Sequence, residues 1–361
     1  MSANSFGRFF KITTFGESRS QGLGAVIDGC PAGIPLNCSD IQTFLNRRKP
    51  FSFSDNSTSK KFSTHRKEND ICNILSGIYE NTTLGSPIAV LVKNEEISDK
   101  NYEDIKDIYR PGHADYAYFI KYGIRDYRGG GRASGRETIG RVIGGAVAKK
   151  ILDVFAEKKG LTKIEIKTCV EEIAGIKLQI PIYENDSFPK DVFKRLSELS
   201  EEGNSAGCIL TCRVLNVPEG LGSPVFYKLD AVLSQAIMSI GAVKGIEFGA
   251  GFYSAALTGK ENNDNEKNHS GGISGGISAG NTPYKFGQKK SLCTISFRTV
   301  IKPPPSIQTL QNAFNCKGEK INLSVKGNHD VCLFPRIIPV IESMVYITLA
   351  DELLASFSDR L

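Results

Sequence analysis

The chain has no tryptophan, only three methionines and only four histidines among its 361 residues. Its nine cysteines (Cys30, Cys38, Cys72, Cys169, Cys208, Cys212, Cys293, Cys316 and Cys332) include no C-x-x-C pair. No Cys/His group has zinc spacing either, so no metal is expected. An odd, scattered set of this kind reads as free cytosolic thiols packed as small hydrophobes. No apolar run is long enough to span a bilayer, and the N-terminal MSANSFGRFFKITTFGES has no signal-peptide core. The expectation is a cytoplasmic protein with no membrane partner. Long Lys/Arg blocks are also missing. The net charge of +6 permits nucleic-acid binding, but it rests on arginines interleaved with glycine, which suit small anions equally well. There is no internal repeat and no sustained heptad.

What is present is ordinary in bulk, with 40% hydrophobic and 23% charged residues, enough for one large domain or two of usual size. One stretch stands apart, RPGHADYAYFIKYGIRDYRGGGRASGRETIGR at 110–141. It carries His113, a dense set of arginines and the run Gly129-Gly130-Gly131, read here as opening into a helix. Glycines let backbone approach a ligand, and free N–H groups at a helix start attract anions. Arg132 and Arg136 add bidentate grips on phosphate or carboxylate. The stretch reads as the floor of a polyanion site, with His113 as proton carrier.

Around it, residues 6–28 read as two strands joined by the loop Gly16–Gly22. Arg19 in that loop is a solvated charge or a functional one. Ser39 and Gln42 suggest a capping box for a helix carrying Ile41, Phe44 and Leu45. Arg47, Arg48 and Lys49 then serve either the helix dipole or an anion clamp. Residues 51–70 read as a long mobile loop with a solvated His65, and 88–92 as a strand. From Ile139 to Phe155 the spacing predicts a helix whose Gly144-Gly145 admits a close neighbour. Strands are predicted at 163–175, 206–217 and 292–301, a short helix around Phe193–Leu199, and another from Leu229 to Ile240. The C-terminal pattern from Ile337 to about Ser356 is helical. The polar segment 259–270 reads as a mobile lid or excursion, and the glycine-dense 271–280 as a ligand surface or a tight turn. Lys302-Pro303-Pro304-Pro305-Ser306 is an extended partner motif or a pocket wall. His329 next to Asp330 resembles an acid/base pair. In bulk the pattern is mixed α and β, with strands at both ends and long helices between.

In order along the chain, TTFGES (13–18), IDGCPAGIPL (27–36), the 110–141 block, MSIGAVKGIEFG (238–249), SGGISGGISAGN (270–281), KPPPS (302–306) and HDVCLFPRIIPVIESM (329–344) resemble the chorismate synthase family over nearly the whole length. The resemblance implies an α+β fold, a single large domain over 1–361 built as a β-α-β sandwich with an inner helical layer, assembled as a homotetramer. It implies the last step of the shikimate pathway: anti-1,4-elimination of phosphate from 5-enolpyruvylshikimate 3-phosphate to give chorismate. The cofactor would be reduced FMN (FMNH2), delivered by an external reductant, with NADPH only an indirect source of electrons.

Residue by residue, the resemblance makes His113, Asp330 and Arg19 catalytic. It gives Arg47, Arg48, Arg110 and Arg136 to substrate anions. Arg132, Ala133, Ser134, Gly241, Ala242, Gly275, Lys302, Pro303, Pro304, Pro305, Ser306 and Asn328 would face the flavin. This sequence departs from the family at four of these places. Arg19 replaces a histidine thought to protonate the leaving phosphate, Asn328 an arginine, Gly241 an asparagine and Ala133 a serine. An arginine stays charged at neutral pH, so Arg19 would stabilise a departing phosphate without delivering a proton. The competing expectation is a homologue that binds FMN or substrate without turnover.

Overall fold

The structure is a computed structural model, and it describes residues 3–49, 62–63, 68–95, 102–183, 186–263, 267–279, 292–325, 327 and 329–359. Two antiparallel sheets enclose a layer of helices. The first has strands β1 (Ser5–Phe6), β2 (Lys11–Gly16), β3 (Gly22–Asp28), β4 (Asn73–Ile74) and β5 (Ile88–Lys93), in the order β1-β2-β3-β5-β4. Its period-2 pattern turns Ile12, Leu23, Ala25, Ile27, Ile88, Val90 and Val92 inward, and the β2–β3 register sets Ile12 opposite Ile27. The second has β6 (Glu165–Ile173), β7 (Ile176–Ile182), β8 (Cys208–Pro218), β9 (Val243–Phe248) and β10 (Leu292–Ile301), in the order β7-β6-β8-β10-β9.

Between them lie α1 (Cys38–Arg48), α2 (Thr138–Lys159), α3 (Leu229–Met238) and α4 (Phe334–Ser356). α4 is apolar nearly all round and buried from Phe334 to Leu353 apart from Arg336, as a helix enclosed by protein must be. Its carboxylates are paired: Asp351 Oδ1 accepts from the backbone N–H groups of Arg8, Phe9 and Phe10 at 2.8, 2.6 and 2.9 Å. α2 crosses α4 with almost no gap. A Cβ on Gly145 would lie 2.3 Å from Ser343 Cβ, and one on Gly144 2.8 Å from Ile12. The expected close neighbour is therefore α4 on one side and β2 on the other. A small sheet of Ile108–Tyr109, Gln311–Asn315 and Lys320–Leu323 buttresses the chain leading into Arg110.

Several expectations shift. The expected C-terminal helix forms as α4 and starts at Phe334, three residues before the predicted Ile337, so strands do not stand at both ends of the described chain. The cap of α1 is Asn37 with Asp40, whose carboxylate reaches back to the Asn37 N–H at 2.9 Å. Gln42 does something else: it accepts from Cys72 N at 2.9 Å and donates to Asp70 O at 3.1 Å. The glycine run opens into two short 3-10 turns, Gly131–Ala133 and Gly135–Glu137, before α2 begins at Thr138. Most of 51–70, with His65, lies outside the described residues, but Phe62 is buried against Phe188 and Phe193. Within 259–270, Gly259–Asn262 forms a helical turn capped by Thr258 and Glu261. Among the described residues, no helix is long and apolar enough to cross a membrane.

Candidate active site

A cavity of about 1180 Å³ opens where the start of α2, the end of α3 and the start of α4 meet. The sheets and helices bring to it His113, Asp330 and Arg19. Arg48, Arg110, Arg132, Ala133, Ser134, Arg136, Gly241, Ala242, Lys302, Pro304, Pro305 and Ser306 also line it. Arg47 does not. It points to another side of α1 and pairs with Glu342 of α4 at 2.8 Å, since successive helix residues point about 100° apart. Gly275 lies elsewhere, in the turn that packs on Lys228 ahead of α3, and Pro303 packs beneath Gly207. Asn328 lies outside the described residues.

The arginines arrive already engaged. Arg110 binds Asp115 through two N–H groups, at 2.7 and 2.8 Å, and donates to Gly129 O at 3.0 Å. Arg132 spends its guanidinium on β2, donating to Gly16 O at 3.0 Å and Thr14 Oγ1 at 2.6 Å. Arg48 Nη2 meets Asp70 Oδ2 at 3.0 Å, and Arg136 Nη2 lies 2.9 Å from Asp70 Oδ1 and also touches Glu68. Arg136 Nε donates to Asn94 Oδ1 at 2.6 Å, while Asn94 Nδ2 donates to the carbonyls of Glu17 and Ser20. Asn94 thus ties the Arg19 loop to Arg136. Arg19 itself is buried, its guanidinium 5.4 Å from the centre of the Tyr102 ring.

Sequence reasoning overlooked Arg336, Glu68, Asp70 and Tyr102. Arg336 lies inside HDVCLFPRIIPVIESM and donates to Asp330 Oδ2 at 2.6 Å. The Nε groups of Arg48 and Arg336 are buried and have no hydrogen-bond partner among the described residues. Burial lowers the Arg48 guanidinium to about 10; Asp70 opposes this, and the like charge of Arg336 adds to it. Two guanidiniums whose Nε donors are buried and idle beside one cavity form a ready place for an anion.

His113 faces both ways. Its Nδ1 lies 3.0 Å from Pro111 O and its Nε2 3.0 Å from Ser306 Oγ. A carbonyl only accepts, so Nδ1 carries the proton and Nε2 of the neutral ring accepts from the Ser306 hydroxyl. Burial, then the charge of Arg110, holds the imidazole below its usual value. His113 thus turns its Nε2 lone pair, which accepts from Ser306, toward the proline segment. His329 turns its Nε2 toward Val325 O at 3.3 Å, while Asp330 is turned to Arg336. On the opposite wall Gly241 has open space where a Cβ would stand, and Ala242 holds φ +75. Lys302 N donates to Ala242 O at 2.9 Å, joining that wall to the proline run.

A family model described as chorismate synthase matches residues 10–354. A chorismate synthase of Treponema denticola is 64% identical over 366 residues, covering 100% of both chains. One of Lachnoclostridium phytofermentans is 46% identical over 380 residues, covering 100% of this chain and 98% of the other. A crystal structure of chorismate synthase is similar with a TM-score of 0.70 at 28% identity, covering 98% of this chain and 94% of that one.

Proposed function

The chain belongs to the chorismate synthase family of carbon–oxygen lyases in the shikimate pathway, and on that premise we propose that it converts 5-enolpyruvylshikimate 3-phosphate to chorismate by anti-1,4-elimination of phosphate, with reduced FMN bound. The observation that carries this reading is the pair of idle, buried Nε donors of Arg48 and Arg336 in a cavity also lined by Arg19, Arg110 and Arg136. A substrate with two carboxylates and a phosphate matches that density of guanidinium groups.

The residues present fit a flavin. The cavity is large, Gly135 and Gly241 leave open space where a side chain would otherwise intrude, and Pro304 and Pro305 form a rigid apolar wall. Ala133, Ser134, Ala242, Lys302 and Ser306 would complete the contacts. Reduced FMN, when bound, supplies electron density to the C–O cleavage with no net redox change. The chain's own residues bind, orient and move protons. His113 Nε2 takes or returns a proton at the flavin wall, exchanging its bond with Ser306. Asp330, steadied by Arg336, assists deprotonation there. Arg48, Arg110, Arg136 and Arg336 orient the substrate's anions. Arg19 is a permanent cation and stabilises the leaving phosphate as the dianion. The same reading has the chain working as a cytoplasmic homotetramer supplied with FMNH2 by an external reductant that draws on NADPH. Phe226 and Phe252, 87% and 89% exposed, are apolar surface that self-association would cover.

The test is chorismate formation under anaerobic conditions with chemically reduced FMN. Wild type is expected to turn over, and His113→Ala to lose roughly 10²–10⁴-fold in kcat, the usual range for a general acid–base group. Arg19→His, run beside them, tells whether a proton donor at 19 adds rate. No chorismate from the wild type, with flavin still bound, would reduce the chain to a binding protein.

A further inference from the structure

The two arginines that line the anion end of the cavity bring their own anions. Arg48, Arg136, Glu68 and Asp70 form a quartet whose side chains are 3%, 7%, 9% and 1% exposed, and whose formal charges cancel. The two carboxylates are not equivalent. Asp70 gives one oxygen to each guanidinium, Oδ2 to Arg48 at 3.0 Å and Oδ1 to Arg136 at 2.9 Å. Its backbone is anchored from α1 by Gln42 and held at φ +46. Asp70 therefore positions both cations. Glu68 approaches only Arg136 among the quartet's cations, at Nη2, and it too lines the cavity. That nitrogen touches both carboxylates yet is in hydrogen-bond alignment with neither, although it is buried. A guanidinium so placed has charge compensation but an unused donor, and a better-aligned anion would gain the hydrogen bond that Glu68 does not make.

We propose that Glu68 is a built-in counter-anion of Arg136, which an incoming phosphate or carboxylate must displace, and that it thereby sets how strongly this subsite binds anions. The proposal rests on the reading of the cavity as the substrate site. With Glu68 in contact the quartet is neutral, and a polyanion gains little there. Once Glu68 withdraws, the quartet carries one positive charge and an aligned donor. Such a device favours a ligand with enough negative charge to replace the carboxylate and lets the product phosphate leave when Glu68 returns. Glu68 is a positioning and selectivity residue on this view, acting through Arg136.

Glu68→Gln and Glu68→Asp are compared with wild type in two measurements, with folding checked by thermal unfolding. The first is calorimetric binding of inorganic phosphate, which requires no flavin and no turnover. The second is the KM and kcat of the anaerobic chorismate assay. Glu68→Gln is expected to tighten phosphate binding and lower KM by roughly tenfold, the low end of what a unit charge within about 4–6 Å does to an ionic equilibrium. kcat should not rise, because product phosphate is held longer. Glu68→Asp retracts the carboxylate by one methylene and should shift both constants the same way by less. Unchanged or weaker phosphate binding in a folded Glu68→Gln protein overturns the proposal and makes Glu68 a structural prop for Arg136. Tighter phosphate binding without any wild-type chorismate formation upholds the counter-anion and overturns the catalytic reading instead.

Discussion

Arg298 and Arg136 each stand between two carboxylates, the first on the outer face of the second sheet and the second in the cavity. On β10, Arg298 binds Glu171 at 2.7 Å and Glu247 at 2.7 Å, and its side chain is 41% exposed. In the cavity, Arg136 meets Glu68 and Asp70 with its side chain 7% exposed. The groups are the same and the surroundings differ. Hydrogen bonds to Glu247 raise the Arg298 guanidinium above its usual value, whereas burial lowers that of Arg48, the cavity partner of Asp70. At the surface, water and salt screen the pair, and such bridges contribute about 0–1 kcal/mol. In the cavity the ions have lost most of their water, so removing the carboxylate that Arg48 and Arg136 share leaves charge uncompensated. That contrast separates a surface ornament from an anion subsite.

The sharpest way to break the comparison is Asp70→Asn. It leaves two buried guanidiniums without their shared carboxylate and is expected to cost about 3–5 kcal/mol of folding stability, read by chemical denaturation. kcat/KM for chorismate formation should fall with it, since Arg48 and Arg136 lose their alignment. A loss no greater than that of a surface pair would erase the distinction. His113 supplies a smaller test. Its folded value lies below the usual 6.5, so below about pH 6.5 the unfolded chain takes up a proton that the folded chain declines. Stability contributed by the neutral ring is therefore present above that pH and lost as pH falls. His113→Asn should flatten the curve below about pH 6.5. A wild-type curve already flat there would place the imidazole in solvent contact. Arg298→Ala is the smallest, expected to change stability by under about 1 kcal/mol and to leave chorismate formation as it was. If it lowered activity, the outer sheet face would belong to the functional machinery.

Much of the fold was legible in the sequence because it rests on local periodicity. The short apolar runs in residues 6–28 marked two strands, which form as Lys11–Gly16 and Gly22–Asp28, the strand at 292–301 was also expected, and the 3.6-residue spacing from Ile139 marked α2 with its glycine contact. The strands 176–182 and 243–248 were missed. The first is a largely exposed edge strand containing Pro181, and the second, VKGIEF, spaces Val243, Ile246 and Phe248 unevenly because its register shifts between Val243 and Gly245. Both are strands because a neighbour offers them a hydrogen-bond ladder, and a neighbour is not written in the segment itself.

The site divides along the same line. The sequence by itself determined the family, the presence of His113, Asp330 and the arginine-glycine block, and the absence of a histidine at position 19. Only the tertiary structure decided which arginines face one another. Arg47 and Arg48 are adjacent in the chain, yet one closes on Glu342 and the other enters the cavity. Glu68 with Asp70, Asn94, and Arg336 come from three separate parts of the chain and meet the arginines only when the two sheets close over the helical layer. Helix and strand spacing act over a few residues, whereas the partner of a buried charge is chosen by whatever the fold places within about 3 Å of it.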